Sequence, residues 1–377
     1  MPLLKLKGLS TDMANCRVYN LYIFSFLLLF LQSMHVWFLW GNMFKIACPI
    51  FFLIVAYNNK KVNPQCYQRY SHNSKLLFLF VIILIFLRGS LDAGTLSICK
   101  SVVSILVLFE IVTVSDKMGM QILLCLTKFF GIISFISLVG WILFLAGVSL
   151  PNQYIIDEEF GYSFDNYYIF LYNRLGLIPR FCSVFLEPGY YGQLASIILF
   201  ANRMKLNNVY LISIFVSALF SLSLAGYVLI VMGFIFVNLN RNNIKKLFLL
   251  VVVGYSVFYV IKDFNGGDNI INDYIFARLE IEDGKLAGDD RSTDRLDNYF
   301  RTKIYQNNEY LFGVGSSFSK MDWGHGVAGY KAYIVENGYV GLLLAIFGYL
   351  LILYRYKKTD IYMKLCFVLF MTSRWRN

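Results

Sequence analysis

Two stretches of the chain hold residue types that handle charged or hydroxyl-bearing ligands. The first runs Arg180, Phe181, Cys182, Ser183, Val184, Phe185, Leu186, Glu187, Pro188, Gly189, Tyr190, Tyr191, Gly192. Pro188 suits the first turn of a helix, where its missing N–H is an orphan anyway, so Glu187 is expected at the positive end of that helix. A carboxylate there can cap the helix, or it can bind or deprotonate a ligand hydroxyl. An ionisable group at the edge of a long apolar run is costly, and that cost favours the second use.

The second stretch runs from Asp289 to Phe318. Arg291 and Arg295 stand at i and i+4, and Leu296, Phe300 and Ile304 form an apolar stripe, which predicts a surface helix presenting guanidinium groups. Arginine forks match phosphate in a bidentate way, and Arg301 adds a third. The same arginines can pair internally with Asp290, Asp294 and Asp297. These aspartates lack the regular glycine-containing loop of an EF-hand, so no calcium or other metal is expected.

Phe312, Gly313, Val314 and Gly315 read as a turn in which glycine lets backbone or ligand approach closely. Glu336 places a second carboxylate at the start of a late apolar run, where Gly338 and Gly341 favour close helix packing. Arg174, Arg278 and His325 complete the set; the histidine can act as a base near neutral pH, although a lone loop histidine is ordinarily incidental. Ser221 and Ser223 fall in a break between two apolar runs and read as helix contacts rather than nucleophiles.

The elements that must hold these residues are set by composition. Only 15% of residues are charged and 58% are hydrophobic, too little polar surface for a soluble chain of this length. The apolar runs are continuous rather than alternating, so an all-α, polytopic membrane protein is expected and not a barrel. Runs of about 17 to 25 apolar residues predict spans near 19–39, 42–57, 76–92, 95–114, 121–148, 185–201, 208–222, 225–238, 247–261 and 331–354. The 361–377 stretch is too short for a further span, leaving about 10–11 in all.

Positive charge alternates between loops: Lys60, Lys61, Arg69 and Lys75; Lys117; Arg203 and Lys205; Arg241, Lys245 and Lys246; Arg355, Lys357 and Lys358. The positive-inside rule then gives a cytoplasmic N-terminus, with the first span retained as an anchor. Two long segments, 149–184 and 262–330, fall on the far side within a single transmembrane domain, 1–377, and they hold both candidate stretches. The net charge of +11 is explained by these clusters without nucleic acid. The seven cysteines show no metal spacing and no disulfide framework.

Together these features resemble the O-antigen polymerase (Wzy) branch of the bacterial O-antigen ligase and polymerase superfamily. The likeness covers the layout of many spans with two large outer loops. It also covers the Glu-Pro helix start after the first loop, Phe-Gly-Val-Gly late in the second, and Glu336 to Gly341 as Glu-x-Gly-x-x-Gly. It implies a GT-C-like glycosyltransferase of the inner membrane, independent of metal and cofactor, which moves a growing glycan from undecaprenyl pyrophosphate to a newly flipped lipid-linked repeat unit. A chain-length regulator and an upstream flippase are the implied partners.

By that resemblance Arg180 and Arg301 hold pyrophosphate, with Arg291, Arg295, Arg174 and Arg278 behind them, and Glu187 positions or deprotonates the acceptor hydroxyl. Each of the first pair precedes a glycine by twelve residues, Gly192 and Gly313, one more than the family's spacing. Ligases of the superfamily carry a His-Asn pair about eleven residues before the glycine matching Gly338. Here those places hold Val327 and Ala328, with His325 out of register, which favours polymerase over ligase. A lipid-linked oligosaccharide flippase is the rival from another class, but it is expected to carry charge within its spans and short outer loops.

Overall fold

The computed structural model describes residues 13–67, 95–157, 163–173, 179–238, 293–304, 311–323, 329–355 and 360–376, with a few isolated positions and the short pair Ile281–Glu282 and Lys285–Leu286. The chain is mostly helical. Contacts divide it into two compact units, Met1–Phe78 with Thr95–Leu126 and Leu79–Gly94 with Thr127–Asn377.

The first unit holds α1 (Met13–Ser33), α2 (Asn42–Val62), α3 (Thr95–Thr113) and the start of α4 (Asp116–Leu145). Its core joins Tyr22, Leu29, Phe52, Val55, Val114, Met118 and Ile122. The turn between α1 and α2 is tightened by His35 at φ 54° and by the Trp40 indole N–H, which donates to the His35 carbonyl at 2.9 Å. Lys60 of α2 meets Glu110 of α3 at 3.3 Å, so the two charges enter the helix pair together rather than singly. The first helix starts and ends about six residues earlier than the predicted span 19–39. Helix propensity carries it through the polar residues Asn15 and Arg17, which hydropathy alone leaves out.

The second unit continues α4 from Thr127 and adds an antiparallel sheet of β1 (Gln153–Ile156), β2 (Ser163–Asn166) and β3 (Leu171–Asn173), in register Gln153 with Asn166 and Phe164 with Asn173. There follow α5 (Pro188–Ala201), α6 (Val209–Phe220), α7 (Leu224–Val237), α8 (Asp294–Tyr299), α9 (Tyr330–Arg355) and α10 (Ile361–Arg376). The predicted runs at 42–57, 95–114, 121–148, 185–201, 208–222, 225–238 and 331–354 all fall on helices, while 76–92 and 247–261 lie almost wholly outside the described residues. The stretch after Asp360, predicted too short to span, is also helical.

Among the described residues two helices, Asp116–Leu145 and Tyr330–Tyr354, are long and apolar enough to cross a membrane, and only 39% and 28% of their most apolar windows are buried. Helices α5, α6 and α7 have 14, 12 and 14 residues, about 21, 18 and 21 Å at 1.5 Å per residue, short of a hydrocarbon core of about 30 Å. Helix α7 matches the length of its predicted run, while α5 and α6 are each three residues shorter than theirs. The cause is local: Pro188 sets one start, and the side chains of Asn208 and Ser223 cap the other two.

Helix α4 leaves a broad apolar face exposed and buries three hydroxyl residues among Phe130, Leu138 and Trp141. Phe135, Ile136, Val139, Ile142 and Leu143 are exposed, while Thr127, Ser134 and Ser137 are buried and hydrogen-bonded: Thr127 to Asn202, Ser134 to Tyr191, and Ser137 to Ser183 and the Ile169 carbonyl. Small side chains let the helices approach closely. A Cβ on Gly131 would stand 2.6 Å from the Cβ of Tyr210, and one on Gly226 3.1 Å from the Cα of Gly192. Tyr362 of α10 donates to the Phe200 carbonyl at 3.0 Å, and Asp360 pairs with Arg203 at 2.7 Å, fixing α10 to α5.

Candidate functional site

The segment after β3 doubles back under the sheet. The Leu171 N–H donates to the Ser183 carbonyl at 2.8 Å, and the Phe181 N–H to the Phe220 carbonyl at 3.0 Å, with Ser183 at φ 53°. Phe181 to Leu186 are buried. Phe181 packs edge-on to Tyr191 and to Trp141, at 5.0 and 5.8 Å between ring centroids. This anchoring presents a charged residue at each end, Arg180 and Glu187, both half-buried.

Arg180 donates from Nε to the Ser221 carbonyl at 3.2 Å and from Nη2 to the Leu222 carbonyl at 2.9 Å. These carbonyls lie at the C-terminus of α6, which breaks at Leu222 with φ 46°. A helix end with unsatisfied carbonyls attracts a cation, so the arginine clamps the break between α6 and α7. These two bonds fix the Nε and Nη2 edge of the guanidinium.

Glu187 occupies the N-cap position of α5 in an extended conformation, φ −134° and ψ 145°, yet its side chain makes no capping hydrogen bond. Asn208, Ser223 and Thr293 do cap their helices, each accepting from the backbone N–H three residues on. Among the described residues no hydrogen bond or ion pair reaches the Glu187 carboxylate. Capping is therefore not what this side chain does. Ser221 and Ser223, expected as helix contacts, face Gly192: a Cβ there would lie 2.7 Å from Ser223 Cβ and 3.2 Å from Ser221 Oγ.

Cys182 lies between the two charges. Its thiol donates to the Leu171 carbonyl at 3.1 Å, and burial pushes its pKa up to about 12, with Arg180 drawing it down and Glu187 adding to the rise. It is a neutral thiol near pH 7 and inert as a nucleophile. We expect Cys182 in the folded protein to resist maleimide at pH 7.5 for hours and to react within minutes once denatured; modification counted by intact-mass spectrometry on a variant lacking the other cysteines checks this.

The second stretch forms a junction of backbones. Gly313 and Gly338 both have positive φ, 69° and 68°, and Gly338 interrupts α9 with ψ 178°. The Val314 N–H donates to the Val335 carbonyl at 2.8 Å and the Val340 N–H to the Leu311 carbonyl at 3.1 Å. The turn predicted at 312–315 is thus seated in the break of α9. Leu296, Phe300, Trp323, Ala332, Ile334 and Val335 form the core beneath it.

Around that junction Arg295 pairs with Asp322, while Asp297 takes Lys331 at 2.7 Å. Lys331 and Asp322 give no local signal in the sequence because their partners are 34 and 27 residues away. Helix α8 begins at Asp294, capped by Thr293, and carries Arg295 in its first turn, while Arg291, expected on the same face, falls outside the described residues. The stripe survives in Leu296 and Phe300, both buried. Arg301 is exposed on the π-helical turn Phe300–Ile304, and Gly315 is buried at φ 58°. Glu336 is half-buried and accepts from Asn337 Nδ2 at 3.3 Å. Arg174, Arg278, Arg291 and His325 lie outside the described residues.

No family model matches the chain, and no characterised protein or solved structure is significantly similar to it.

Proposed function

We propose that this chain is a multi-pass inner-membrane glycosyltransferase of the O-antigen polymerase type. Membrane placement is supported by the exposed apolar face of α4 and by the two long apolar helices, α4 and α9, since exposed apolar helix faces of that length call for lipid. The alternation of basic loops supports a cytoplasmic N-terminus and some ten crossings.

The observation that carries the catalytic reading is Glu187: a carboxylate at the head of α5 whose side chain does not cap the helix and so can serve a ligand. In the proposed step an acceptor sugar hydroxyl attacks the anomeric carbon of the growing glycan. The bond from that carbon to the lipid pyrophosphate breaks, pyrophosphate departs with the bonding electrons, and the hydroxyl proton passes to Glu187. Exposed Arg301, with Arg180 held at the break between α6 and α7, stabilises the leaving charge.

The deciding experiment is a gel of surface glycan from the host with and without the gene. Collapse of a long ladder to core plus one repeat is the expected result. Complete loss of attached glycan points instead to a ligase or flippase, and an unchanged ladder refutes the proposal. Arg301→Ala should abolish polymerisation at normal protein level and Arg301→Lys should retain part of it, because a lysine keeps the charge but not the fork. Equal ladders from all three forms remove Arg301 from the mechanism.

A further inference from the structure

The first unit contains a cavity of about 590 Å³ between α1, α2 and α3 that the proposed chemistry does not use. Its walls are apolar over most of their length, with Phe26, Leu29, Phe30, Ile46, Ile50 and Val107 among them. The polar groups are few: Lys45 at the start of α2, Gln32 and Ser33 at the end of α1, and Ser104. Among the described residues the lining holds one cation and no acidic group. Such a volume lies within the range of about 300 to 1,000 Å³ typical of small-molecule sites.

The polar end lies beside the turn joining α1 to α2, which carries Trp37, Phe38 and Trp40. Aromatic residues of this kind collect at headgroup depth, and lysines near helix ends reach toward the same layer. The groove thus has an apolar trough for a chain and a cation where a headgroup sits. An ammonium has three donors, so Lys45 can serve a phosphate oxygen while keeping another contact.

We infer that this groove binds one anionic phospholipid, its acyl tail lying between α1, α2 and α3 and its phosphate on Lys45. The occupant is a lipid of the surrounding bilayer and not the lipid-linked sugar of the proposed reaction. The inference rests on membrane placement and not on the glycosyltransferase reading, so an unchanged glycan ladder leaves it standing.

The test uses the full-length protein in nanodiscs of phosphatidylcholine with and without phosphatidylglycerol, with retained lipid counted by native mass spectrometry. Wild type should retain one phosphatidylglycerol in preference to phosphatidylcholine. Lys45→Gln should weaken that retention about tenfold, the effect of losing one hydrogen bond to a charged group, and Lys45→Arg should restore it. Val107→Trp, or Ile50→Trp if the first does not accumulate, should exclude both lipids by filling the trough. Equal retention of the two lipids by wild type overturns the inference. So does a preference unchanged in Lys45→Gln, or displacement of phosphatidylglycerol by an equimolar polyprenyl phosphate.

Discussion

Replacing Glu187 with glutamine should reduce polymerisation by roughly 10²- to 10⁴-fold, the usual contribution of a positioned general base, with no loss of protein from the membrane. The two halves of this expectation have separate origins. The loss follows from the proposed step, in which glutamine can still hydrogen-bond an acceptor hydroxyl but cannot take its proton. The unchanged abundance follows from geometry: the side chain makes no capping hydrogen bond, and the backbone carbonyl that accepts from the Tyr191 N–H at 3.3 Å is untouched by the substitution. At Asn208, where the side chain does cap its helix, alanine should instead cost about 1 kcal/mol of stability. Ladder length on a glycan gel, normalised to the protein by immunoblot, measures the first half; the melting temperature of the purified variant measures the second. A full ladder from Glu187→Gln removes this residue as the base, and a collapse in abundance makes its role structural.

Gly338→Ala should prevent the second unit from assembling its junction, so that little folded protein accumulates. The backbone there, φ 68° and ψ 178°, lies in a region that is essentially glycine-only, with strain of about 1 to 3 kcal/mol for any other residue. A Cβ would also stand 2.2 Å from the Leu311 carbonyl oxygen and 2.4 Å from its carbon. Both obstacles are backbone and neither can swing aside. Relief requires separating the 311–315 turn from α9, which forfeits the hydrogen bonds from Val314 to Val335 and from Val340 to Leu311. Gly119→Ala is the control: no atom lies within 4 Å of its Cβ position inside α4, and alanine there favours the helix by up to about 1 kcal/mol. Fluorescence-detected size exclusion of the two variants separates the cases. A monodisperse Gly338→Ala protein with wild-type melting would mean that the break in α9 is dispensable.

The sequence by itself determined where most of the described helices lie and, at Pro188, which residue starts one of them. Apolar content over windows of helix length reports burial or lipid contact directly, and it located α2, α3, α4, α6, α7 and α9 to within a few residues. Pro188 announced the head of α5 because its effect is local, and Gly313 and Gly338 announced close approach because only glycine tolerates it. The sequence could not say how many of the apolar runs are long enough to cross a bilayer. That number depends on where caps such as Asn208 and Ser223 cut the helices, and a cap is decided by whether a side chain turns back onto its own backbone.

Partner choice belonged wholly to the tertiary structure. Arg180 looked like a free guanidinium but is clamped to carbonyls 41 and 42 residues further on, Arg295 passes over its neighbouring aspartates for Asp322, and Asp297 takes Lys331. For Glu187 the sequence favoured a ligand-facing role over a cap, and the side-chain geometry shows that it does not cap α5. Hydrophobic period and turn chemistry act over a few residues and can be read along the chain. Ion pairs and carbonyl clamps are settled by which segments the packing brings together, information held by the whole chain and by no single window of it.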